Sequence, residues 1–145
     1  MRRIKRTVLL SAIAVVLVLS ACLVYGYGSE ANGSIEEVDT KGKNYISPNK
    51  TSASATTTTN IPGSPYPPAA DTYVDATFYW LDPVSDARGT VYKSAGGQSS
   101  STVAPEGAQN RLFYKVISNH YVWYGQGSWS STNLTTIAPE VCAVI

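Results

Sequence analysis

The chain has 145 residues, a formal charge of +1, one histidine and two cysteines. A charge this close to zero gives little electrostatic grip on a polyanion, which argues against nucleic acid as a partner. One histidine and two distant cysteines are too few ligands for a metal centre, and no cofactor motif is present.

The N-terminus reads as an export signal. Arg2, Arg3, Lys5 and Arg6 place four positive charges before an uncharged stretch of 18 residues, 7–24. Basic residues stay on the cytoplasmic side while the apolar stretch enters the bilayer. Its length is close to the ~20 residues that span ~30 Å of hydrocarbon as a helix, so an uncleaved signal anchor is one reading. Leu19-Ser20-Ala21-Cys22 resembles a bacterial lipobox, which would make Cys22 the lipidated first residue of the mature chain. Against that reading, Leu23-Val24-Tyr25 keeps the run apolar after the cysteine. Cleavage near Ala21, giving a secreted protein, is a third reading. The first two tether the chain to the outer face of a cell membrane.

Cys22 at membrane depth cannot easily reach Cys142, so the even cysteine count does not imply a disulfide. Cys142 is then either a small buried apolar side chain or a thiol that pairs between molecules.

Residues 26–70 read as a disordered linker. Apolar residues thin out, Ser52 to Thr59 is a Ser/Ala/Thr tract, and Pro62-Gly63-Ser64-Pro65-Tyr66-Pro67-Pro68 favours extended polyproline segments. Asn32, Asn49 and Asn133 each begin an N-x-Ser/Thr sequon, relevant only where a glycosylating secretory pathway exists.

The expected folded domain is 71–145. From Tyr73 to Trp80, Val74, Ala76, Phe78 and Trp80 alternate with Tyr73, Asp75, Thr77 and Tyr79, the period of a strand with two different faces. Residues 90–93 and 102–104 predict short strands, with a mobile loop at 94–101 between them. Residues 111–117 and 121–124 predict a hairpin turning at Ser118-Asn119-His120, and Gly125-Gln126-Gly127 a second turn. Ser128-Trp129-Ser130 predicts a strand, Thr132-Asn133-Leu134 a single helical turn, and 141–145 a closing strand. The fold class expected is mainly β: a small antiparallel barrel behind an anchor helix and a linker.

Leu112-Phe113-Tyr114-Lys115-Val116, a turn, then His120-Tyr121-Val122-Trp123 resembles the hairpin of lactobacillal surface-layer attachment domains. Gly127-Ser128-Trp129 followed by Leu134 is similar to the ending of bacterial SH3-like cell-wall domains. The resemblance covers about 25 residues and implies an SH3-like barrel that holds wall polymer. Those attachment domains are basic, whereas 71–145 holds six acidic residues against four basic ones, a formal charge of −2. Gripping an anionic polymer by charge is therefore not expected.

No nucleophile, base and orienting group stand in a recognisable pattern, so the expectation is a protein that is not an enzyme. His120 reads as an exposed turn residue. The remaining chemistry is aromatic: eleven rings lie in 71–145, more than a small barrel can bury. Tyr and Trp with an apolar body and a polar handle suit stacking on sugars or peptides. Tyr121, Trp123, Tyr124 and Trp129 are the candidate ligand-binding cluster, with Tyr121 and Trp123 on one face and Tyr124 on the other. The function expected is a membrane-tethered, extracytoplasmic binding module for cell-wall glycan or peptide. The alternative is an accessory or structural subunit that binds another envelope protein.

Overall fold

The computed structural model describes residues 26–107 and 110–137. The expected anchor with Cys22, the closing strand and Cys142 lie outside the described residues. Among the described residues no helix is long and apolar enough to cross a membrane.

Eight strands form there: β1 (Tyr27–Ile35), β2 (Val38–Ile46), β3 (Ala53–Asn60), β4 (Asp71–Leu81), β5 (Arg88–Gln98), β6 (Ser100–Val103), β7 (Leu112–Tyr124) and β8 (Gly127–Thr136). They make two four-stranded sheets, ordered β1-β2-β3-β6 and β5-β4-β7-β8. Every pairing is antiparallel. The sheets stack face to face, and among the described residues the barrel expected from the sequence is not formed.

The largest correction concerns residues 26–70, where a spacer was expected and β1, β2 and β3 are found. The Ser/Ala/Thr tract is β3, buried at every second residue from Ala53 to Thr59. Threonine is β-branched and favours strands. Small inner residues suffice here because the opposite sheet brings the large ones, Phe78 and Val116, both 0% exposed. The Pro-rich part stays irregular, as the connection that carries the chain from β3 to the other sheet.

β4 forms as the alternation predicts, with Val74, Ala76 and Phe78 fully buried. The turn at Gly125-Gln126 also forms, joining β7 to β8. The hairpin at 118–120 does not. Ser118 and His120 stay in phase with Val116 and Val122, so β7 runs unbroken and all four face inward. The hairpin that carries the resemblance is therefore one strand. Residues 94–101 extend β5 and begin β6, with a bend at Ser99 (φ 65°). Thr132-Asn133-Leu134 lies within β8 rather than in a helical turn.

Two apolar clusters fill the space between the sheets. One surrounds Phe78 and Phe113, whose rings meet edge to face at 6.3 Å and 74°. The other joins Ile35, Ala70 and Val122, with Tyr124 and Trp129 against it. Burying a ring such as Phe78 stabilises by about 2–3 kcal/mol.

Candidate functional site

Antiparallel pairing puts directly opposed residues on the same face of a sheet. On the outer face of the second sheet, Asp71 opposes Trp123, Tyr73 opposes Tyr121, and Asp75 opposes Asn119. On the β5 side, Tyr73 opposes Gly96, Asp75 opposes Ser94 and Thr77 opposes Tyr92. The period-two pattern of β4 and β7 thus writes one continuous surface of rings and polar groups.

The rings pack in a connected row. Tyr73 and Tyr121 lie 6.0 Å apart, and Tyr121 and Trp123 are 6.0 Å apart and nearly parallel at 8°. Trp123 is 47% exposed and Tyr92 61%. Beside the row runs a polar relay. Asn119 Nδ2 donates to Asp75 Oδ1 at 2.9 Å, and Thr132 Oγ1 donates to Asn119 Oδ1 at 2.8 Å. These bonds fix the Asn119 amide, so its dipole does not have to be oriented when a ligand arrives. Partial desolvation, and then the Asp75 carboxylate, raise the Tyr92 hydroxyl above its usual pKa. That hydroxyl therefore remains a donor at neutral pH. At the other end of the face, Lys115 Nζ sits 4.7 Å from the centre of the Tyr79 ring.

The four expected site residues separate. Tyr121 and Trp123 belong to the outer face. Tyr124 and Trp129 lie on the inner side, at the end of the stack. Tyr124 donates its hydroxyl to Glu37 Oε1 at 2.9 Å, and this acceptor raises the Tyr124 pKa. Trp129 covers Gly33 so closely that a Cβ there would stand 2.1 Å from its Nε1. These two rings brace β7 and β8 against the β1–β2 turn. Tyr73, Asp75, Tyr92 and Asn119 were missed as site residues. The signal for Tyr73 and Asp75 was present in the alternation of β4, which sets them opposite Val74 and Ala76.

His120 is not an exposed turn residue. It is fully buried between the sheets, with Nδ1 2.9 Å from Thr57 Oγ1 and Nε2 2.7 Å from Ser118 Oγ. Ser118 Oγ donates to Asn44 Oδ1. Asn44 Nδ2 donates to the Asn133 carbonyl at 3.1 Å, and Asn133 Nδ2 donates to the Gly42 carbonyl at 2.8 Å. The sequon asparagine Asn133 is thus a buried structural donor, 5% exposed. This polar layer separates the two apolar clusters and links one sheet to the other.

The outer face of the first sheet carries a polar trough of about 540 Å³, lined by Asn32, Asp39, Lys41, Thr58 and Asn60. No aromatic side chain lines it, and Lys41 is already 3.5 Å from Glu30. The ring-bearing face is the better candidate, because stacking needs exposed π surface and a trough of amide, hydroxyl and charged groups supplies none. Among the described residues, no group of three or more His, Cys, Asp or Glu could hold a metal ion.

No protein-family model and no curated protein sequence matches the chain.

Proposed function

We propose that the chain is a membrane-tethered, extracytoplasmic binding module that stacks cell-wall glycan on the outer face of the β5-β4-β7-β8 sheet. The observation that carries this reading is the parallel pair Tyr121–Trp123, with Trp123 half exposed, beside the fixed Asp75–Asn119–Thr132 relay. A pyranose ring offers C–H groups on its faces and hydroxyls at its rim. The first match aromatic faces and the second match carboxylate and amide groups. The tether rests on the basic and apolar pattern of residues 1–25.

The test is a pull-down of the full-length chain, in mild detergent, on purified cell wall. Wild type is expected to be retained, and Trp123→Ala to be lost from the pellet while keeping the wild-type circular dichroism spectrum. Retention of Trp123→Ala at wild-type level overturns the reading. Recovery of an envelope protein from detergent-solubilised cells, without any wall binding, favours the accessory-subunit alternative.

A further inference from the structure

We propose that the glycan accepted by this face is an amino-sugar polymer carrying free ammonium groups rather than a neutral or acidic one. This inference rests on the glycan reading above and adds the charge of the ligand.

The carboxylates of Asp71 and Asp75 stand on the same outer face as the row of rings. Asp71 is directly opposite Trp123, and Asp75 is four residues along the strand, two beyond Tyr73. Asp71 is exposed and Asp75 partly so. Only one oxygen of Asp75 takes the Asn119 bond, which leaves carboxylate capacity facing outward. A polyanion would meet two like charges here.

No cation from the described residues offsets those charges at close range. Lys115 lies four residues along the sheet from Asp75, opposite Tyr79, a distance of about 13 Å at 3.3 Å per residue. That exceeds the ~8 Å screening length at physiological salt. Lys93 shares the inner face with Ala76 and points toward Glu106, 3.9 Å away.

Aromatic faces also attract cations directly, through the ring quadrupole. The face already demonstrates the geometry with its own ammonium, since Lys115 rests over Tyr79 at 4.7 Å. At the other end, the exposed Trp123 ring beside Asp71 offers the same combination of π surface and carboxylate, open to a ligand. A glucosamine unit brings both complements together: an apolar ring face and an ammonium next to it. N-acetylation removes the charge and with it the ion pair and the cation–π contact.

The experiment compares β-1,4-linked glucosamine oligomers with their fully N-acetylated counterparts of equal length. The full-length chain is titrated with each by calorimetry in mildly acidic buffer, where the ammonium is charged. The deacetylated oligomer is expected to bind at least about tenfold more tightly. That preference should collapse in molar salt and in Asp71→Asn, with Asp75→Asn as a second variant. Thermal melting checks that each variant folds. Equal or tighter binding of the acetylated oligomer overturns the charge preference while leaving glycan binding intact. A preference that survives both Asp→Asn changes overturns the assignment to these carboxylates. If neither oligomer binds, both the inference and the glycan reading fall.

Discussion

Thr57 on β3 and His120 on β7 meet across the two sheets, with Thr57 Oγ1 2.9 Å from His120 Nδ1. The proton order follows from the neighbours. Asn44 presents its carbonyl oxygen to Ser118, so Ser118 spends its only proton there and accepts one from Nε2. The neutral ring is therefore protonated on Nε2, and the single Thr57 hydroxyl proton has two acceptors, Nδ1 and the Tyr73 carbonyl 3.1 Å away.

Acid should loosen the protein through this ring. Burial lowers the His120 pKa from 6.5 to about 4, opposed by the Asp75 carboxylate. The folded pKa lies below the unfolded one, so the unfolded chain binds more protons between these values. The stability tied to the neutral ring is complete above pH 6.5 and is lost as pH falls toward 4. The amount is on the order of 3 kcal/mol. Urea midpoints measured across that window should fall more steeply for wild type than for His120→Gln. Equal slopes would remove His120 as the cause.

Gly42 is required by the same ring. A Cβ at Gly42 would stand 2.5 Å from His120 Cγ, and the ring is held on both sides by Thr57 and Ser118. Gly42→Ala should cost about 1–3 kcal/mol by overpacking. Gly107→Ala, with nothing within 4 Å of the added methyl, should stay within about 0.5 kcal/mol. Chemical denaturation of both variants checks the contrast, and equal midpoints would contradict it.

Trp123 and Trp129 should behave oppositely although both belong to the β7–β8 hairpin. Trp123→Ala removes an outward ring and should leave the melting temperature near wild type. Trp129→Ala opens the small cluster with Ile35, Ala70 and Val122, at a cost of about 2–4 kcal/mol. Thermal melts of the two variants decide this, and a large loss at Trp123 would show that its ring is structural.

A fragment that starts at Asp71 should not fold. It lacks β1, β2 and β3, which cover Val74, Phe78, Val116 and His120. Exposing that face forfeits the hydrophobic drive and strands the Asn44 and Thr57 partners. The fragment should show no near-UV circular dichroism and no cooperative melt. A sharp unfolding transition would show that the second sheet is an independent domain.

The sequence made β4 legible because large apolar residues alternate there with polar ones without interruption. It hid β3, because Ala and Thr at inner positions carry little hydropathy and their burial depends on rings supplied from β4 and β7. It also disguised β7. Ser118, Asn119 and His120 have turn-like side chains, and only Asn44 and Thr57, more than 60 residues away, satisfy the two that point inward. The candidate site was half legible. Tyr121 and Trp123 stood out as rings, while Asp75 and Asn119 gain meaning only when β4 and β7 are placed side by side.

The proposed function turns on ligand stacking on the outer face of the second sheet, at Trp123. The chain has three tryptophans, so indole labelling gives a small, assignable set of NMR signals. During titration of the full-length chain with glucosamine oligomers, the Trp123 indole signal should shift in a saturable way while those of Trp80 and Trp129 hold still. A Trp123 signal that does not move at saturating oligomer, or a response centred on Trp129, rules out stacking at Trp123.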